Sequence, residues 1–274
     1  WYGIYYSLLK WLRARVVIGE GERDEAPTLY IGEHVGGGFS SHLKQRESPD
    51  IAIGIDVVEL TNGVVKDIIK ATCSPGIYSE IGGLLSVPDL AYLSTWVTGP
   101  AKEGREGYRV NIKGTTKENL DAISMRLGKP INELIGGLLL RPRHSRRIVR
   151  MVDYGIAIDP SDSELKQFIQ EYKKIEELSK ERQPNKDDLE PLIKAYRALD
   201  KKVKAVGIYR SGNLYLLADG TVMPTIALRT ALRTGMMDFF TGGVGPTEGV
   251  MAAVLCLTIG GDSSGRLVAY GALK

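Results

Sequence analysis

Val16-Val17-Ile18-Gly19-Glu20-Gly21-Glu22-Arg23-Asp24-Glu25-Ala26-Pro27 is an apolar, β-branched run that ends in a turn of glycines and acids. The pattern predicts a buried strand that delivers carboxylates to its tip. The glycines let the backbone turn tightly and approach another group closely. Carboxylates held at a strand end are hard oxygen ligands suited to Mg²⁺ or Mn²⁺; an acidic, solvated loop is the ordinary alternative. The pattern recurs at Ile51-Ala52-Ile53-Gly54-Ile55-Asp56, with Glu59 and Thr61 just beyond. Two carboxylates three residues apart on a turn can grip one cation from two sides, and the hydroxyl of Thr61 can hold a water on it. Such an ion neutralises phosphoryl charge and sharpens water as a nucleophile, which is the chemistry of metal-assisted phosphate hydrolysis.

Outward from these two sites the chain alternates. Helices are predicted at about 2–14, 117–126, 146–154, 223–234 and 248–257, and strands at 15–19, 50–56, 134–140, 214–218 and 238–241. Further strands run through 68–97 with glycine-rich turns. The expectation is an α/β fold of layered, mixed architecture. Between about Ile158 and residue 212 the pattern is purely helical. Leu165, Phe168, Ile169, Tyr172, Ile175 and Leu178 recur at helical spacing, with Ser161 and Glu164 read as a capping box. Pro184 and Asn185 break the run, and Leu189, Leu192, Ile193, Tyr196 and Leu199 resume it. Lysines and glutamates cover the other faces, so the reading is a solvated helical hairpin packed on the main body, with a lid or an oligomer contact as the functional alternative.

Residues 18–33 together with Asp56-Val57-Val58-Glu59-Leu60-Thr61 resemble the signature of the class II fructose-1,6-bisphosphatases, metal-dependent sugar phosphatases related to the lithium-sensitive phosphatases. Further similar segments follow in the family's order: Val87-Pro88-Asp89, Gly99-Pro100-Ala101-Lys102-Glu103-Gly104, Arg141-Pro142-Arg143-His144, Asp219-Gly220, Gly245-Pro246-Thr247-Glu248-Gly249-Val250, and Gly260-Gly261-Asp262 with Gly265-Arg266-Leu267. The resemblance spans about 10–155 and 213–270. It implies a layered sugar-phosphatase fold and hydrolysis of the 1-phosphate of fructose 1,6-bisphosphate or a similar sugar bisphosphate, with Mn²⁺ or Mg²⁺ as cofactor and a gluconeogenic, cytoplasmic setting. It implies Glu20 as ligand of one metal, and Asp56, Glu59 and Glu248 as ligands of a second. Glu59 and Thr61 are the implied catalytic pair, with Thr61 orienting the attacking water. Thr61, Arg141, Pro142, Arg143, Asp219, Gly220 and Gly245 are implied in substrate binding.

Each assignment has a plainer counterpart. A Glu that opens a helix also meets the positive end of the dipole, so Glu248 is a ligand or a cap. Thr61 is otherwise a turn hydroxyl. Guanidinium groups match phosphate oxygens bidentately, yet Arg141 and Arg143 could equally open a solvated helix continuous with Arg146 and Arg147. His144 reads as an N-terminal cap or a packed ring rather than a base.

The sequence departs from the family pattern in several places. The family's N-T-A-D motif, whose Asp is a metal ligand, and its C-terminal end lie outside the sequence. Val57 and Leu60 stand where the family has Pro and Gly, Thr221 where it has the second Asp of D-G-D, and Thr247 where it has Pro. A Gly at position 60 could present its N–H to a phosphate; Leu is less permissive. These losses motivate the alternative reading, a relative that keeps the fold and binds a phosphorylated metabolite or a protein partner without turnover. The organisation expected is an N-terminal α+β metal- and phosphate-binding part at 1–157, an inserted helical hairpin at 158–212, and an α/β part at 213–274 that completes the site.

Composition sets the outer limits. A chain of 274 residues with 43% hydrophobic content buries a large core. With 36 basic and 33 acidic side chains and a net charge of +3, nothing points to nucleic acid. Cys73 and Cys256 lack metal-ligand spacing and suggest a reducing compartment. No apolar run reaches about 18 residues, so no spanning helix is expected, and Lys10 and Arg13 make the aromatic N-terminus a poor signal peptide. The partner expected is a small phosphorylated sugar, with a homo-oligomer among the assemblies open to the chain.

Overall fold

The computed structural model describes residues 13–19, 31–35, 51–56, 74–78, 91–218 and 233–269; at positions 19, 55, 56, 74–76, 91, 92, 246–248, 251, 255 and 269 it describes the backbone alone. The chain forms two units, each assembled from discontinuous segments: Trp1–Leu93, Val244–Val254 and Leu267–Lys274 in the first, and Ser94–Gly243 and Leu255–Arg266 in the second. Strands and helices mix in an α/β fold, as expected.

The first unit holds a sheet in the order β2-β1-β3-β4, made of β1 (Ala14–Gly19), β2 (His34–Val35), β3 (Ile51–Asp56) and β4 (Ser74–Tyr78). The strand expected at 15–19 is β1, which begins at Ala14; of the helix expected at 2–14, Arg13 is not helical, Ala14 is in the strand, and residues 2–12 lie outside those described. Ala14, Val16 and Ile18 are buried while Arg15 is exposed, the alternation of a half-buried strand. β1 runs parallel to β3, with Gly19 beside Ile55 and an irregularity between Val16 and Ile18. β2 and β4 close the edges antiparallel. Ile18 and Ala52 pack with Val250, and Val17, Tyr78 and Val254 surround them. Val250 belongs to a helix, α5 (Pro246–Thr258), so the start of α5 covers β1 and β3.

The second unit is built on a sheet in the order β10-β5-β9-β6-β8-β7, from β5 (Ala91–Thr98), β6 (Gly136–Leu139), β7 (Ile208–Ser211), β8 (Leu214–Leu217), β9 (Phe239–Val244) and β10 (Asp262–Ala269). β6 is parallel to both β8 and β9, and β7 and β8 form a hairpin. β6 is buried throughout, which is the continuous apolar run of a parallel strand covered on both faces. A Cβ on Gly136 would overlap the Phe239 ring, so only Gly lets that ring lie on β6 and stack with Trp96 at 5.7 Å.

Four helices pack on this sheet. α1 (Thr116–Leu127) opens on a capping box, in which Thr115 accepts from Glu118 N–H while Glu118 accepts from Thr115 N–H, and it ends at Gly128 with φ 59°. α2 (Ser145–Asp153) follows a short 3₁₀ turn at Pro142–His144. α3 (Ser163–Glu181) and α4 (Lys186–Val206) are the expected hairpin. The cap of α3 is Asp162 and not Ser161. Ser161 bonds Asp159 through its N–H and hydroxyl, whereas the buried Asp162 carboxylate accepts from Leu165 N–H, from Lys202 and from the Tyr209 hydroxyl. Asp162 wins because one carboxylate serves the helix end and two other elements together. Asn185 and Asp188 form the capping box of α4.

Leu120, Ile123, Leu138, Ile148, Met151, Phe168, Leu199, Leu216 and Phe239 share one core. α3 and α4 therefore contribute to the same interior as the sheet. Three strands were not expected from the sequence, β2, β7 and β10, and the helix expected at 223–234 lies almost wholly outside the described residues. No helix among the described residues is long and apolar enough to cross a membrane.

Candidate active site

In the first unit the candidate acids are governed by strand ends. β1 and β3 are parallel neighbours that end level, at Gly19 and Ile55, so residue 20 follows one strand just as Asp56 finishes the other. Asp56 pairs with Ser74 of β4. Glu248 lies in the first turn of α5, whose Val250 sits on Ile18 and Ala52. Three of the four expected metal-ligand positions thus belong to, or directly follow, elements packed together. Glu20, Glu59 and Thr61 themselves lie outside the described residues, as do Asp219 and Gly220. Among the described residues no group of three His, Cys, Asp or Glu side chains could hold a metal ion. The donor types expected here, carboxylates and a hydroxyl, suit Mg²⁺ or Mn²⁺. Gly245 is buried, and its carbonyl accepts the Gly249 N–H at 3.0 Å. A Cβ on Gly249 would meet Leu93 at 2.5 Å from its Cδ2, so Gly249 lets the α5 backbone approach that side chain closely.

In the second unit the candidate residues sit where β6 ends and α2 begins. Arg141 is extended and half-buried, with φ −139° and ψ 151°. Pro142 opens the 3₁₀ turn, where its missing N–H costs nothing. Arg143 is half-buried, and its Nη2 lies 3.1 Å from where a Cβ on Gly243 would stand; His144 Nε2 lies 3.4 Å from the same point. His144 is buried, and its Nδ1 is 2.9 Å from the Leu139 carbonyl, to which the neutral ring donates. Burial holds its pKa down at about 4, with the charges of Arg147, Arg143 and Arg141 pressing the same way. It is a neutral, packed ring, as the sequence suggested.

One member of this corner escaped the sequence reading. Arg146 is exposed, as a solvated helix start requires, but Arg147 turns inward. Its Nη1 donates to Thr241 Oγ1 at 2.8 Å and its Nη2 to Ser94 Oγ at 3.3 Å. Its guanidinium lies 5.7 Å from the centroid of the Trp96 ring. Thr241 commits its own hydrogen to the Thr95 carbonyl at 2.8 Å, which fixes it as an acceptor towards Arg147. Burial, and then the charge of Arg266, pull Arg147 below its ordinary pKa. The available signal was spacing: Arg143 and Arg147 are four apart, so one helical face carries both. Along β9, Thr241 and Gly243 are two apart and share a face, one meeting Arg147 and the other Arg143 and His144.

Comparison with known proteins follows this geometry. The family described as bacterial fructose-1,6-bisphosphatase, glpX-encoded, matches residues 9–174. That region runs past Ile158 into α3, so the family pattern includes the beginning of the helix pair, and the similar segments at 213–270 lie beyond it. A D-fructose 1,6-bisphosphatase class 2/sedoheptulose 1,7-bisphosphatase of Microcystis aeruginosa is 39% identical over 151 residues, covering 54% of this chain and 42% of that protein. The proteins of the same name from Trichormus variabilis and Prochlorococcus marinus are 38% and 34% identical over 157 and 159 residues, covering 54% and 58% of this chain and 42% and 44% of their own lengths. The chain thus spans less than half the length of these curated relatives.

Proposed function

Because this chain belongs to the glpX-encoded bacterial fructose-1,6-bisphosphatase family, we propose that it hydrolyses the 1-phosphate of fructose 1,6-bisphosphate or a similar sugar bisphosphate with the help of Mn²⁺ or Mg²⁺. The observation that carries this reading is the packing of Val250 of α5 on Ile18 and Ala52. It supports a grouping of Asp56, Glu248 and the acid that follows β1.

Glu20, Asp56, Glu59 and Glu248 would hold the ion, which when bound would neutralise phosphoryl charge and lower the pKa of water. Thr61 would orient the attacking water by accepting or donating one hydrogen bond. Arg141 and Arg143 would bind phosphate oxygens through paired N–H donors, held at the carboxyl end of a parallel strand where α/β proteins bind ligands. Pro142 and Gly245 would shape the backbone against the substrate, and Asp219 and Gly220 would contact sugar hydroxyls. The neutral His144 positions rather than transfers protons, since its ring donates to Leu139 and is held uncharged. In this division 1–157 supplies three of the metal ligands and the arginines, 213–274 completes the site with Glu248, and the helix pair in 158–212 is scaffold.

The test is phosphate release from fructose 1,6-bisphosphate with added Mn²⁺ or Mg²⁺. We expect it to fall to the enzyme-free background in Asp56→Asn and in excess chelator. Undiminished release in either condition overturns the reading. Leu60 and Thr221, which replace family residues, favour a second reading in which the chain binds the sugar phosphate without turnover. Calorimetric binding of fructose 6-phosphate with no phosphate release from the bisphosphate would select it.

A further inference from the structure

Arg147 is a partly buried cation that meets no carboxylate among the described residues. Its partners among the described residues are the Thr241 and Ser94 hydroxyls and the face of Trp96, none of which carries a formal charge. It stands in the first turn of α2, which contains no acid and where the helix dipole disfavours a cation. Its charged neighbours among the described residues have the same sign: Arg266 acts directly on it, and Arg141 and Arg143 share its influence on His144. A buried charge without a counter-charge is costly. A guanidinium has five N–H donors in a fixed plane. Thr241 and Ser94 take two of them and, with Trp96 beneath, fix the orientation of the plane. The remaining donors form a fork suited to the oxygens of a phosphate.

Arg266 lies on β10, next to β5 in the sheet. It is exposed, and so is free to swing onto a ligand. Ser264, two residues before it, meets the β5 residue Thr95 through the Thr95 hydroxyl. Ser94, Thr241 and Arg266 thus come from three adjoining strands, with Arg147 reaching across from α2.

We propose that Arg147 and Arg266 form an anion subsite of the second unit, with Arg147 oriented by Ser94 and Thr241, that takes a phosphate monoester. In the sugar bisphosphatase reading, on which this assignment of the ligand rests, it holds the phosphate that stays on the product. A phosphate that is retained needs only fixed positive charge, which these arginines supply without any bond being made or broken.

The experiment is isothermal titration of the full chain with fructose 6-phosphate, with fructose as the phosphate-free control. Arg266→Gln removes an exposed side chain and should leave the thermal midpoint in place. We expect the parent to bind fructose 6-phosphate and not fructose. Losing one charge-assisted contact should weaken binding by about tenfold in Arg266→Gln. Arg147→Gln should do the same or more, and Arg147→Lys should restore part of the loss. Arg109→Gln, an exposed charge elsewhere, should change nothing. Where turnover is present, Arg266→Gln should raise KM and spare kcat. The proposal is overturned if Arg266→Gln stays within about twofold of the parent, if Arg109→Gln weakens binding equally, or if fructose binds as well as its phosphate. A chain that binds fructose 6-phosphate through these arginines but releases no phosphate from the bisphosphate would keep the subsite and remove the hydrolase reading.

Discussion

Arg126 and Arg147 of the second unit both meet no carboxylate among its described residues, yet they sit in opposite local fields and have different partners. Arg126 is in the last turn of α1, where the dipole favours a cation. It is only 4% exposed and donates to four backbone carbonyls: Gly99 at 3.2 Å, Glu106 at 3.4 Å, Tyr108 at 3.1 Å and Gly260 at 2.8 Å. Arg147 is in the first turn of α2, where the dipole opposes it, and has two hydroxyls. One cation has four of its five donors engaged and fixes the 99–109 loop and the turn before β10. The other retains donors and charge. The contrast teaches that burial of a charge does not by itself mark a binding group; the state of its donors and the direction of the local field do.

The sharpest way to break this contrast is to remove the carbonyl-bound cation, Arg126. Arg126→Met strips four carbonyls of a charged donor and should cost about 3 kcal/mol of stability, read as a lower urea midpoint, with fructose 6-phosphate affinity intact under folding conditions. A loss below about 1 kcal/mol would mean that the carbonyls find water, and the distinction would fail.

The next effect belongs to the other corner and is read with pH. His144 goes from 6.5 in the unfolded chain to about 4 in the fold, so the unfolded chain takes up the proton first on acidification. Its contribution is complete above pH 6.5 and declines as pH falls towards 4. By pH 5 the chain should have lost about 2 kcal/mol relative to pH 7.5 through this one ring. Carboxylates such as Glu164, held at about 2 by Lys202 and Ser163, act only at lower pH. His144→Gln should flatten the urea midpoint between pH 7.5 and 5; an unchanged slope would show that the ring takes its proton in place.

Smaller effects follow. Arg147→Gln should cost only about 1 kcal/mol in the urea midpoint, since two hydroxyl contacts are lost; a cost equal to that of Arg126→Met would make Arg147 a second structural hub. Gly243→Ala brings a methyl against Arg143 Nη2 and His144 Nε2. The long Arg143 side chain can give way, so stability should change by less than about 1 kcal/mol while fructose 6-phosphate affinity drops about threefold. Equal affinity would mean that Arg143 takes no part in binding this sugar phosphate.

Much of this arrangement was legible beforehand where pattern and local chemistry agree. Val16 to Ile18 and Ile51 to Ile55 read as strands because β-branched residues alternate or run together before a glycine or an acid, and the helix expected at 117–126 is α1. The hairpin of α3 and α4 was plain from its helical spacing. What escaped had a physical cause in each case. β2 and β7 are short, and β10 carries Asp262, Ser263, Ser264 and Gly265, residues that usually mark turns. Asp262 and Ser264 instead accept backbone N–H groups of Val110 and Ile112 across the fold, contacts that sequence spacing does not reveal. Arg147 was read as solvated because its neighbours in sequence are; only the strands beneath it turn it inward. The arginines of 141–143 were found through motif resemblance, and their support by Gly243 is a property of β9.

The joining of α3 and α4 to the sheet has a practical meaning. Phe168 and Leu199 are wholly enclosed with Leu138 and Ile148, while Arg150 and Asp153 of α2 reach Glu176 and Lys173 of α3. A shortened protein in which a linker replaces the helix pair would leave a bare oily floor beneath the very helix whose opening turn carries the arginines. Trimming for crystallisation or expression should therefore spare this pair, and a protease nick at the α3–α4 turn should leave two fragments that stay associated and copurify.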